Sequence, residues 1–277
     1  ERAALGWACE MASMMAADMG TAQQLLTDVI AQIGAPPLRD DPQSLMYLAL
    51  TAGFLGDVSG LIALGEHLVA RARDRGAFGV HVPSLALTAS GRAWIGDNPG
   101  AFADAGEAVE LGEQLGYVVD VANAVEMLAW QSAARGLHDD ARAGLVRARQ
   151  VSDRARTRSF AAHLAVTEAF CALCRDDVEE ATAVLGARVA ADGGVGPSGE
   201  PLGVAPDLVE AYVASGRQAE AAALAAEFAT VTSTEAPPLM LALVNRVLGL
   251  SADDPEESRR AFEAALAAHA DAALNPF

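Results

Sequence analysis

Lysine is missing from this chain. All 19 of its basic residues are arginine, against 37 acidic residues in a length of 277. Without lysine there is no Schiff-base chemistry and no phosphate-binding residue of a P-loop. The formal net charge of -18 sets the chain against nucleic acid and acidic membranes, so no direct DNA binding is expected of it. Cysteine is scarce: Cys9, Cys171 and Cys174 are too few and too unevenly spaced for a disulfide framework, which points to a reducing cytoplasm. No apolar run approaches the roughly 18 to 20 residues of a membrane span, because charges or turn residues interrupt every Ala/Leu stretch. Strand-like alternation of β-branched residues is absent as well.

Catalytic patterns are also lacking. The stretch "DGGVGPSGEPLG", Asp192 to Gly203, is glycine-rich but has neither the lysine nor the preceding strand of a nucleotide-binding loop, and reads as a flexible loop. Cys171 and Cys174 stand one helical turn apart with no second pair at zinc-like spacing, so packed thiols are expected. His67, His81, His138, His163 and His269 are scattered and form no HExxH-type pair. The arginine-rich run from Arg142 to Arg158 reads as a solvated face paired with nearby acids. No enzyme, metal or cofactor is expected in this chain.

What the chain does have is a period. Ala101, Ala141, Ala181, Ala221 and Ala261 fall at equal steps of forty residues, and a turn column accompanies them at Gly56, Gly96, Gly136 and Gly216, with Asp176 filling the gap. Glycine just past a helix takes the left-handed conformation without steric cost. Between the glycines, stretches such as "NAVEMLAWQSAARG" and "APDLVEAYVASG" space apolar residues three and four apart. Helix starts are marked by Asp41-Pro42, Asn98-Pro99 and Asp254-Pro255, an N-cap acceptor before proline. The expectation is all-α: a right-handed superhelix of about seven tetratricopeptide-like helical hairpins over residues 1–277. Its units begin near Glu1, Pro42, Pro83, Val121, Phe160, Pro206 and Leu239, with first helices lining a concave face.

Placing the recurring alanine on the second helix sets the register of the first. That register turns Trp7, Glu10 and Met14 inward in the first unit and Gln43, Met46, Leu50 and Phe54 in the second. Ser90 and Trp94 follow in the third unit, then Asn123, Glu126 and Trp130 in the fourth, and His163, Phe170 and Cys174 in the fifth. The sixth contributes Glu210 and the seventh Arg246. Aromatic walls with a few convergent polar groups suit a small-molecule effector or a partner peptide. The nine candidates are Phe54, Trp94, Asn123, Glu126, Trp130, His163, Phe170, Glu210 and Arg246. The alternative is that a tightly coiled solenoid fills its own groove with these rings. A scaffold binding a protein or a second copy of itself is the other functional reading, supported by the methionine-rich stretch from Met11 to Met19.

The last unit, "DDPEESRRAFEAALAAHADAALNPF", resembles the end of the helical domain in large MalT-like regulators of the LuxR type. Phe262, Ala265, Leu266, His269, Pro276 and Phe277 carry the likeness, which is specific over about the last fifteen residues. In that family Pro-Phe opens a further helix, so the resemblance implies a chain continuing past Phe277. It also implies effector sensing by the helical domain, between an ATP-binding module and a helix-turn-helix DNA-binding module. Neither a Walker-type motif nor a recognition helix is found in these residues, so those activities are not expected of them.

Overall fold

The computed structural model describes residues 41–54, 57–155, 158–192, 201–232, 236 and 238–271. Twelve helices follow in order: α1 (Pro42–Phe54), α2 (Val58–Arg75), α3 (Phe78–Trp94), α4 (Asn98–Leu115), α5 (Val118–Ala134) and α6 (His138–Ala155), then α7 (Arg158–Leu173), α8 (Val178–Asp192), α9 (Pro201–Ala214), α10 (Gln218–Val231), α11 (Pro238–Ser251) and α12 (Pro255–Asp271). They pair as six hairpins, and among the described residues there is no strand. This is the all-α solenoid that the forty-residue period predicts. The hairpin expected from Glu1, with its methionine-rich stretch, lies outside the described residues. So do positions 193–200 of the expected loop, while Pro201–Gly203 already open α9.

The two columns of small residues explain the hairpins. Ala101, Ala141, Ala181 and Ala221 are all fully buried at 0% exposure, so the second helix presses on the first with nothing larger than a methyl between them. Gly144 on α6 approaches more closely: a Cβ there would sit 2.8 Å from Ala129 Cβ and 3.2 Å from Ala129 Cα on α5. At the turns, Gly96, Gly136 and Gly216 adopt φ of 76°, 73° and 71°, and Asp176 takes the same conformation at 61° without being glycine. The backbone geometry repeats even where the residue type does not.

Three expected starts move. Pro83 and Pro206 lie inside α3 and α9 rather than at their heads. Each removes one backbone hydrogen bond, but each helix gains an earlier turn that buries Val82 and His81 in α3 and Val204 and Ala205 in α9. At α4 the cap is Asp97, one residue before Asn98; its Oδ1 accepts from the Gly100 N–H at 3.0 Å, and Pro99 falls in the first turn behind it. Asp254 caps α12 as expected, accepting from the Glu256 N–H at 3.1 Å.

First helices pack on first helices, α1 on α3, α3 on α5, α5 on α7, α7 on α9 and α9 on α11, and they form the inner layer. Second helices stand behind, each against its own partner and most also against the next first helix. Ion pairs knit the back: Arg92 reaches Asp97 at 2.6 Å, Glu66 at 2.8 Å and Asp104 at 2.9 Å. Arg147 pairs with Glu113 at 2.5 Å, and Arg149 with Glu168. Arginines of α6 therefore meet acids, as the charge pattern predicts.

One residue breaks the small-residue rule. At steps of forty, Gly91, Cys171 and Ala211 are buried and compact, and a Cβ on Gly91 would lie 2.3 Å from Leu61 Cδ2 of the preceding unit. Gln131 occupies the same repeat position at 0% exposure, and among the described residues neither amide atom has a hydrogen-bond partner. A buried unsatisfied amide costs about 1 to 3 kcal/mol. Gln131→Met should therefore raise stability by about 1 to 2 kcal/mol, read as a higher urea midpoint at unchanged slope. A lower midpoint would show that the amide is satisfied in solution.

Candidate functional site

The inner layer presents polar and aromatic groups in sequence across α5, α7, α9 and α11. On α5, Glu126 is 9% exposed, and its Oε1 accepts a buried hydrogen bond from the Thr167 hydroxyl of α7 at 2.6 Å. One turn further along the same two helices, the rings of Trp130 and Phe170 stack with centroids 4.6 Å apart and planes 16° from parallel. That separation and tilt are those of a stable stacked pair. Both rings are half-buried.

Phe170 leads to Cys174, one turn on, and Cys174 to α9. Burial raises the Cys174 thiol, and the carboxylates of Asp207 and Glu210 push it the same way. Cys171 behind it is 1% exposed, and its thiol is pushed up to about 12, chiefly by burial. Neither cysteine is a ready nucleophile, and both are free thiols. On α9, Glu210 pairs with Arg246 of α11, both part-exposed. Arg246 in turn holds the His269 imidazole of α12 low, burial being the larger cause. These groups thus follow one another from Glu126 to Arg246 across α5, α7, α9 and α11.

Of the nine expected residues, the structure joins Glu126, Trp130, Phe170, Glu210 and Arg246 in this band. Asn123 is exposed one turn before Glu126. His163 is open to solvent, yet the surrounding protein and then the Arg188 guanidinium hold its imidazole below the ordinary value. Trp94 is half-buried at the end of α3 and packs, with Ile62 and Ile95, on a contiguous apolar cluster that takes in Val58 together with residues of α7 to α11. It is therefore a packing ring as much as a wall. The Phe54 side chain lies outside the described residues. Among the described residues no group of His, Cys, Asp and Glu side chains is arranged to hold a metal ion, and no helix is long and apolar enough to cross a membrane.

The sequence register passed over two members of the band, Thr167 and Asp207. They occupy the same repeat position, forty residues apart, one step beside the inward-facing column. That equivalence was the available signal. Asp207 is half-buried, and burial pushes its carboxyl up to about 7, with Glu210 adding to the shift and Arg246 opposing it. An unfolded aspartate titrates near 3.9, so the folded state binds the proton more tightly. Between pH ~4 and 7 ionisation therefore costs the native state more with each step, and above 7 the cost is complete. Asp207→Asn should remove it. At pH 8 the variant should be more stable by about 1 to 2 kcal/mol, a figure discounted for the partial solvent access of the group, and at pH 4 the two proteins should match. Urea titrations at both pH values read this directly.

No protein-family model matches the chain, and no curated protein matches it. Solved structures do. That of a Rap protein complexed with competence and sporulation factor superimposes with a TM-score of 0.56, covering 98% of this chain and 89% of that one at 12% identity. The likeness establishes the fold, a helical repeat, along nearly the whole length of this chain.

Proposed function

We propose that the chain is a ligand-sensing helical-repeat segment of a LuxR-type transcriptional regulator, and that a short extended peptide lies along the band from Glu126 to Arg246. The observation that carries the ligand is the succession of polar and aromatic groups over four inner helices. Helices packed at about 8 to 10 Å make that path roughly 25 to 30 Å long. An extended chain of about eight residues spans it, whereas a metabolite would touch one or two helices. The similar Rap structure, itself a complex with a factor, supports a bound ligand. The regulatory setting rests on the resemblance carried by Phe262, Ala265, Leu266 and His269 of α12. A ligand preferring one curvature of the solenoid would bias what flanking ATP-binding and DNA-binding modules read, in proportion to its differential affinity for the two states.

A second reading, a small metabolite effector, is favoured by the compact pairing of the Trp130–Phe170 stack with the buried Glu126–Thr167 bond. One experiment separates the two: fluorescence anisotropy with labelled octapeptide pools, beside Trp-fluorescence titration with a metabolite library. Peptide binding with no metabolite response supports the first reading, and the reverse the second. Silence in both assays sinks the groove altogether. The regulatory part is tested by RNA sequencing of cells carrying Trp130→Ala in the encoded protein at matched abundance. Unchanged transcription would overturn it.

A further inference from the structure

Thr167 and Asp207 stand at the same repeat position, and so do Glu126 and Val166, each forty residues on from its counterpart. At the α5/α7 joint Thr167 meets Glu126 and the pair is buried and satisfied. One unit later, at the α7/α9 joint, the equivalent of Glu126 is Val166, an apolar residue packed into the core cluster. At the repeat position where its predecessor finds a carboxylate, Asp207 therefore has a hydrocarbon side chain. Among the described residues no donor hydrogen-bonds to Asp207. The cation acting on it is Arg246, whose guanidinium is engaged by Glu210. The joint thus holds two carboxylates and one arginine, an excess of one negative charge on a concave face of a chain already at -18. The stacked Trp130 and Phe170 stand one turn of α7 before Cys174, whose thiol feels the Asp207 carboxylate. Aromatic faces attract cations as well as apolar groups.

From this arrangement we infer that Asp207 is the anchor for a cationic side chain, arginine or lysine, of the bound peptide. The inference rests on the peptide reading above. The ligand's charge would supply the partner that Val166 cannot, its stem would lie against the Trp130–Phe170 rings, and Glu210 would stay with Arg246. Burial of the Asp207 carboxyl, which holds its titration near 7, adds a pH signature. The titratable and charged groups bearing on it are Glu210, Arg246 and Cys174. It is about nine-tenths ionised at pH 8 and about one-tenth at pH 6, so a cationic ligand should bind up to about tenfold more tightly at the higher pH.

The test uses the intact chain and three labelled octapeptide pools, identical except for one fixed position holding arginine, its neutral isostere citrulline, or glutamate. The expected result is an arginine preference over citrulline of about tenfold at pH 8, shrinking at pH 6. In Asp207→Asn the preference should fall below about twofold. Asp139→Asn, which removes the same charge from a side chain 99% exposed on α6, should keep the preference and so exclude general attraction to an acidic protein. Equal binding of the arginine and citrulline pools, or a preference that survives Asp207→Asn, overturns the inference while leaving the peptide groove standing. Failure of every pool to bind overturns both.

Discussion

Truncating Phe228 to alanine should cost the native state about 3 to 5 kcal/mol, a larger stability loss than truncation of any ring in the concave band should cause. Phe228 lies on α10 at 0% exposure, and among the described residues it is the largest of the fully buried side chains. Its ring belongs to the apolar cluster that joins α7, α8, α9, α10 and α11, with Leu185, Leu208, Val209 and Val247 among the members. In a solenoid each unit leans chiefly on its neighbours, so such a cavity weakens the helices that share this cluster. The void would loosen α10 and the hairpin α11/α12 stacked beyond it. For a chain of this size each kcal/mol moves the midpoint by about 2 to 4 °C, so thermal melting followed by circular dichroism should shift by roughly 10 °C and broaden as the C-terminal hairpins leave first. A shift within about 2 °C would mean that the cluster collapses around the gap and that the units are coupled more loosely than their shared core implies.

The repeat was legible in the sequence because its causes are local and recur. An alanine that lets two helices touch, and a residue that turns the chain left-handed, are needed once per unit whatever surrounds them. Ala101, Ala141, Ala181 and Ala221 are accordingly buried, and the turn column holds its conformation through Asp176. Proline marks the helix starts at Pro42 and Pro255 but not at Pro83 and Pro206, where the packing of an added helical turn outweighs the lost backbone bond. The same distinction runs through the site. Trp130, Phe170, Glu210 and Arg246 follow from a face that repeats along each helix. Thr167 and Asp207 depend on which residue the preceding unit offers, Glu126 in one case and Val166 in the other. That pairing is visible only when two units are laid side by side.

The largest effect on binding is expected at Trp130. Its stack on Phe170 joins α5 and α7 on the proposed ligand path, with the Glu126–Thr167 bond one turn away. An aromatic anchor at the centre of a contact surface is worth about 2 kcal/mol or more on truncation, so Trp130→Ala should weaken binding of the peptide pools about thirtyfold. Stability should change less, by about 1 to 2 kcal/mol, because the ring is only half-buried. Trp130→Phe preserves a stacked pair and should remain within about threefold of the parent in affinity. The contrast between the two substitutions separates a ligand wall from a structural ring: a merely structural ring would lower the urea midpoint in Trp130→Ala and leave the affinity of the folded fraction unchanged. Intrinsic fluorescence gives an independent reading. The chain has three tryptophans; quenching by ligand should fall in Trp130→Ala at peptide concentrations high enough to saturate it, by the share that the stacked ring contributes. Wild-type affinity in Trp130→Ala would remove the band between α5 and α7 from the ligand path.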